Sequence, residues 1–289
     1  MRPLRRTSLP RQAFLACLFV FGAADAPAQK RPYRPPASYV ALSKPDQEEG
    51  RRTLEEFRRR GVAAPYFLEF QLRELPRRGD ERLASGRLWG APGATGPVSR
   101  VELAETQTRL LVQSGAGGRV WIWRPGQAAA SDDGALFAPL AGTGLTPFDL
   151  QMPFIHWDDF IYEGVVPLRG RPARQFLLYP PETALAQNPR LTGVRVYLDS
   201  QFAALVQAEM IGENNRLLRT LSVLDLKKVD GQWMIKTIEL RDELARDKTR
   251  FSVKSAAVGL DLPAWIFEPG LLGDAAGPPP AERLRKVGD

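Results

Sequence analysis

The sequence predicts a mainly β chain with a few helices, its strands running antiparallel in close succession. Tyr66, Leu68, Phe70 and Leu72 alternate with Phe67, Glu69, Gln71 and Arg73, the period of a strand with one buried face. Strand-length apolar runs then recur through most of the 289 residues, with Gly, Pro, Asn, Asp or Ser at nearly every junction. Asp230-Gly231 lies between two such runs and is a pair that a type I′ hairpin turn selects, because both central residues need positive φ. No unit of roughly 20–50 residues repeats, which sets aside a solenoid or a propeller. About a dozen antiparallel strands leave a sandwich, a barrel or an open, strongly curved sheet.

Taken in order, the chain opens with Arg2, Arg5, Arg6 and Arg11 ahead of an apolar run from Ala13 to Ala24. That layout is a signal peptide, and the run is well short of the about 20 residues that span a bilayer. Of the small-x-small sites Ala24-Asp25-Ala26 and Ala26-Pro27-Ala28, the first would leave Pro27 just after the cut. Residues 1–28 are therefore expected to be removed, giving a periplasmic form that begins at Gln29. No phenylalanine follows the Arg5-Arg6 pair as in twin-arginine signals, so ordinary export is expected. Cys17, the only cysteine, falls inside the apolar run and leaves with it, which excludes disulfides and cysteine catalysis afterwards. Cleavage removes four arginines and Asp25 and lowers the net charge from +7 to +4. With the arginines spread along the chain and no nucleic-acid motif beside them, no nucleic-acid partner is expected.

Residues 29–42 carry Pro32, Pro35 and Pro36 among charged residues and read as a loose, extended linker. From Ser43 to Gly61, acids at the start and Arg58, Arg59 and Arg60 at the close match a helix dipole, with Leu54 and Phe57 on one stripe. After the strand at Tyr66–Leu72, further strands are expected near Arg82–Trp89, Ser99–Leu103, Arg109–Gln113 and Arg119–Trp123. Pro125 to Trp157, rich in Gly and Pro, reads as a long insertion with one short helix. Strands resume near Ile161–Val166, Ala173–Tyr179, Val194–Asp199, Leu205–Ile211, Leu217–Lys228, Gln232–Arg241 and Thr249–Val258. Gly212-Glu213-Asn214-Asn215 is a second hairpin turn, Pro263–Leu272 an apolar close, and 273–289 a disordered tail.

Chemistry is sparse. His156 is the only histidine, so any histidine-based triad or metal cluster must include it. Asp158 and Asp159, two and three residues on, point apart on a strand. Asp132-Asp133-Gly134 lacks the spacing of a calcium loop, and Gly115-Ala116-Gly117-Gly118 has no following lysine or helix to cradle phosphate. No catalytic, cofactor or metal residue is assigned and no enzymatic activity is expected. Val120 and Ile122 share one face of their strand, Trp121 and Trp123 the other, so both are apolar. Such a strand is either buried on both sides or lines an apolar cavity on one, and the same choice covers Tyr66, Leu68, Phe70 and Leu72.

The order of elements resembles the LolA-like family of outer-membrane lipoprotein-sorting proteins over about Ser43 to Leu272. Ile161-Tyr162-Glu163-Gly164, Gly170-Arg171-Pro172, Val196-Tyr197-Leu198-Asp199 and Lys227 to Trp233 resemble successive family strands and turns, as do Asp247 to Phe251 and Ile266-Phe267-Glu268-Pro269. The resemblance implies a curved, half-open antiparallel barrel wrapped around helices, with a hydrophobic cavity for acyl chains. It implies a monomeric, non-enzymatic periplasmic carrier of acylated lipoprotein or lipid, with membrane-bound donor and acceptor proteins as partners. The cavity would draw on Tyr66, Leu68, Phe70, Leu72, Val120, Trp121, Ile122 and Trp123. A regulatory module that senses lipid or envelope stress is the alternative, and a hydrolase built on His156 or on a carboxylate pair a more remote one.

Overall fold

Two meanders meet at the middle of one sheet. In the computed structural model, which describes residues 32–39, 45–60, 64–93, 96–115 and 118–288, the first meander comprises β1 (Tyr66–Leu75), β2 (Arg82–Ala91), β3 (Val98–Leu103), β4 (Arg109–Gln113), β5 (Arg119–Trp123) and β6 (Ala130–Ser131). The second comprises β7 (Phe160–Leu168), β8 (Arg171–Leu178), β9 (Gly193–Asp199), β10 (Leu205–Ile211), β11 (Leu217–Val229), β12 (Gln232–Asp242) and β13 (Lys248–Val258). Every pairing is antiparallel, and β1 closes on β13, so the order across the sheet is β6-β5-β4-β3-β2-β1-β13-β12-β11-β10-β9-β8-β7. The sheet is open, since β6 and β7 are its two ends. The expected signal peptide, its cleavage site and Cys17 lie outside the described residues.

This topology has one physical consequence that local periodicity does not announce. β6 and β7 are consecutive strands, yet they form opposite edges. The chain between them, 132–159, must cross the interior of the curved sheet. It does so as 3₁₀ turns at Asp133–Phe137, Leu140–Gly142 and Pro153–His156 and one short helix, α2 (Pro147–Gln151), started by a Thr146–Asp149 capping box. The 133–137 turn touches both β5 near one edge and α3 (Glu182–Gln187), which joins β8 to β9 near the other. The sheet therefore curls around the segment.

The first helix, α1 (Gln47–Arg59), starts where Asp46 accepts a hydrogen bond from Glu48 N, carries Glu48 and Glu49 in its first turn, and ends in Arg58 and Arg59. It packs on the edge strand β7. Gly50 permits the approach, because a Cβ there would lie 2.4 Å from Tyr162 Cβ. The Gln47 side chain takes the place of a missing strand neighbour: it donates to Tyr162 O and accepts from Tyr162 N, both at 2.9 Å.

Of the expected linker, the described residues 32–39 carry no regular secondary structure but are tied to the sheet. Arg34 stacks on Tyr179 and pairs with Asp159, and Tyr179 donates to Pro35 O at 2.8 Å. The expected disorder of 273–289 is likewise corrected for the described residues 273–288. Ala276 and Val287 are buried, Val287 N donates to Lys254 O at 2.9 Å, and a two-residue strand, β14 (Arg285–Lys286), pairs with β13. Proline-rich composition lowers the gain from local structure but does not prevent an extended segment from lying on an apolar face.

Both expected hairpin turns are present. Asn214 and Asn215 have φ of 56° and 57°, and Asp230 and Gly231 have 44° and 89°. The second turn sets Val229 against Gln232 and Leu221 against Leu240. Gly231→Val places a β-branched residue in left-handed backbone, although nothing within 4 Å obstructs its Cβ. Loss of about 1–3 kcal/mol is expected from backbone strain alone, and a melt that coincides with wild type would show that the turn tolerates a side chain.

Candidate functional site

Alternation along the strands puts the bulk of the apolar surface on the inner face of the sheet. Leu68, Phe70 and Leu72 of β1 join Val120 and Ile122 of β5 in one buried cluster, with Tyr66 half-buried against it, and Phe70 stacks on Phe251 with ring centroids 4.9 Å apart. Trp121 and Trp123 stand on the opposite face, half-buried, with the Arg109 guanidinium 4.5 Å over the Trp123 ring. Six of the eight residues singled out from the sequence thus converge on one surface, and the two tryptophans do not reach it.

What covers that surface is the crossing segment. Leu140, Leu145, Phe148, Met152, Phe154 and Trp157 belong to the same cluster as the strand residues. Phe148 lies at the centre of an aromatic group formed within the segment itself, 4.8 Å from Phe137, 5.5 Å from Phe154 and 6.2 Å from Trp157. The fit is closed where Leu140, Pro147 and Leu150 face Val101, Leu110 and Val112, leaving no space for a water molecule. The periodicity of the strands located the sheet side of this contact. The segment side escaped because its apolar residues follow no helical or strand period; their density between Leu136 and Trp157 was the available signal.

Arginines from outside the segment fasten its backbone, Arg82 of β2 through a long bond to Gly142 O at 3.4 Å and two others more closely. Arg58, at the end of α1, donates to Ile155 O at 2.6 Å and Trp157 O at 2.7 Å. Arg219 of β11 donates to Gly144 O and, at 2.9 Å, to the fully buried Asp149 carboxylate. Gly144 N is also held by Glu74 at 2.9 Å and Thr249 Oγ1 at 3.0 Å. Burial pushes the Arg58 guanidinium below its ordinary range, with Asp158 and Glu55 opposing. A cation in that setting prefers water, so the attachment is held against a desolvation cost and is weaker than its short distances suggest.

His156 lies in the same segment. Burial lowers its pKa, the charge of Arg58 lowers it further, and Asp158 works against both. No hydroxyl or carboxylate hydrogen-bonds to it among the described residues, and no group of three or more His, Cys, Asp or Glu residues there is placed to hold a metal ion. The outer face carries polar networks beside smaller apolar clusters such as that of Phe67, Trp89 and Ile266. Glu163, fully buried on β7, accepts from Arg195 at 2.8 Å, Gln175 at 2.6 Å and Ser38 N at 2.6 Å, and Tyr197 donates to Glu209 at 3.0 Å. A recess of about 740 Å³, open to solvent, lies on that face among Glu69, Arg87, Glu102, Arg109, Trp123 and Lys254. Phe70 and Leu103 also line it, so its lining is mixed. No helix among the described residues is long and apolar enough to cross a membrane.

The model of a family described as "Uncharacterized protein" matches residues 106–274, more than half of the chain. No curated protein matches. Among solved structures, a DUF1329 family protein from Desulfovibrio piger is 15% identical, with 78% of this chain and 98% of that one covered at a TM-score of 0.68. A putative outer membrane lipoprotein-sorting protein domain from Vibrio parahaemolyticus is 16% identical, covering 78% and 99% at 0.69. A LolA superfamily protein from Nitrosomonas europaea is 15% identical, covering 75% and 96% at 0.60. At these identities the likeness establishes the fold: a mostly antiparallel, curved and unclosed sheet of LolA-like type.

Proposed function

The chain belongs to the uncharacterized-protein family whose model spans residues 106–274 and has the LolA-like fold, and from that premise we propose that it is a non-enzymatic periplasmic carrier that binds acyl chains of lipoprotein or lipid. One observation carries the reading: the continuous apolar inner face is covered by the segment 132–159 and not by further sheet. An acyl chain occupies the surface of Leu68, Phe70, Leu72, Val120 and Ile122 when that segment lifts. Each methylene buried contributes about 0.8 kcal/mol, so a long chain offsets the loss of the segment's own contacts. Within the segment Phe137, Phe148, Phe154 and Trp157 pack on one another as well as on the sheet.

The purified protein is expected to take up a fluorescent acyl probe that an acylated lipopeptide displaces and the deacylated peptide does not. Arg58→Ala and Arg219→Ala should each raise uptake. Hydrogen bonds from a charged donor are worth roughly 1.5–3 kcal/mol, which corresponds to about tenfold or more in the open population. Titration of probe fluorescence at fixed protein measures this directly. A folded wild type and folded arginine variants that all ignore probe and lipopeptide would remove the carrier assignment.

A further inference from the structure

Beyond the inner face, the largest exposed aromatic surface lies on a part of the sheet with no structural use for it. β10 pairs with β11 only over 217–222, and β13 pairs with β12 only over 237–241. Between these limits the two strands pair only with each other among the described residues, a ribbon ending at Asp230-Gly231. Val229 and Met234 bury one face of it. The other face sets Trp233 opposite Lys228 and Ile235 opposite Leu226. Trp233 is 64% exposed, the most of any large hydrophobic residue described, with Leu226 and Leu224 exposed beside it.

The charges around the ribbon are unequal. Asp225 pairs with Lys236 and Asp230 with Arg285, so both acids are neutralised. Lys227, Lys228 and, on the neighbouring β14, Lys286 are exposed and make no ion pair among the described residues. An exposed tryptophan with leucines and a lysine on one face of a two-stranded ribbon is the combination that partitions into a bilayer interface. The indole and leucines enter the head-group region while the lysine stem reaches outward to anionic phosphates.

We propose that the β11–β12 ribbon is a membrane-docking element that inserts Trp233 into the interface of an anionic phospholipid bilayer, with Lys228, its cross-strand partner on the same face, on the head groups. Docking there needs no cargo and stands apart from acyl carriage. The test is flotation of the full mature chain with phosphatidylcholine–phosphatidylglycerol vesicles, against vesicles of phosphatidylcholine alone. Wild type is expected to float with the anionic vesicles and to be released by high salt. Trp233→Ser should lower binding about tenfold, and Lys228→Glu by roughly fivefold or more, since each basic side chain near an anionic surface is worth roughly fivefold. Both variants should keep the wild-type melting temperature and acyl-probe uptake, because the substituted side chains are exposed and lie on the face of the ribbon away from Val229 and Met234. The proposal is overturned if wild type does not float, or if stable variants float as well as wild type. It is also overturned if sedimentation without lipid finds a dimer that Trp233→Ser dissolves, which would give the patch to a second copy of the chain.

Discussion

A disulfide between Gly144→Cys and Thr249→Cys is expected to abolish acyl-probe uptake, and its reduction to restore it. A Cβ built on Gly144 lies 2.9 Å from Thr249 Oγ1, close to the roughly 3 Å between a Cβ and the far sulfur that standard disulfide dimensions impose. Gly144 belongs to the crossing segment and Thr249 to β13, at the centre of the sheet. The bond therefore ties the segment to the surface it covers. Because Cys17 is the only cysteine in the sequence and precedes the expected cleavage site, the mature double variant has no competing thiol.

The locked form should be as well folded as wild type and more resistant to heat, because the loop from 144 to 249 is closed in the unfolded chain, by about 3–5 kcal/mol in the loop-entropy account. Loss of uptake with gain of stability separates gating from damage. Uptake that is equal in oxidised and reduced samples would mean that the probe binds elsewhere, the recess on the outer face being the nearest alternative, and the carrier reading would lose its site. The single Thr249→Cys variant controls for the loss of the Thr249 hydroxyl, which also bonds Glu74 and Gly144 N.

Local rules made most of the sheet legible. β4, β5 and β10 begin and end where side-chain alternation places them, and Asp230-Gly231 fixed the β11–β12 register, because a two-residue turn with positive φ at both positions admits one pairing. Long-range consequences were not legible. Nothing in the Gly- and Pro-rich 125–157 stretch states that β6 and β7 are opposite edges, although that topology makes the stretch necessary. Leu140, Phe148 and Phe154 lie in 3₁₀ turns and a single helical turn, too short for a period to register, and Leu145 lies in the irregular stretch between two of them. Arg58 and Arg219 looked like any other arginines of a basic chain; only the carbonyls they meet, about 70 to 100 residues away in sequence, distinguish them. The same limit explains the tail. Gly277-Pro278-Pro279-Pro280 has no local preference for order, and its order comes from the outer face of β3 and β13.

That dependence gives the second large effect. Arg100→Ala is expected to destabilise the protein by about 3–5 kcal/mol, the cost of breaking a buried charged pair, and to lower its melting temperature by roughly 6–20 °C. Arg100 is fully buried on β3, where it meets Glu102 at 2.8 Å and donates to Ile266 O, Leu272 O and Asp274 O. Burial pushes its guanidinium below the ordinary range and Glu102 draws it back, so the charge is retained by its partners. Truncation removes a donor from the carbonyls of Ile266, Leu272 and Asp274, of which Leu272 O keeps only a long contact from Arg109 at 3.4 Å, and leaves Glu102 with Arg109 at 3.7 Å and Ala276 N at 3.4 Å. The segment carrying Ile266 and Ala276 covers Phe67 and Trp89, so their apolar surface is exposed when it loosens. Arg100→Lys is expected to recover only part of the loss, because an ammonium keeps the charge but cannot span carbonyls at 266, 272 and 274 as a planar fork does. Limited proteolysis should then cut Arg100→Ala between 268 and 284 while β1–β13 remains protected. A variant that melts with wild type and resists cleavage there would show that the C-terminal segment is held by its apolar contacts, with the arginine as a passenger.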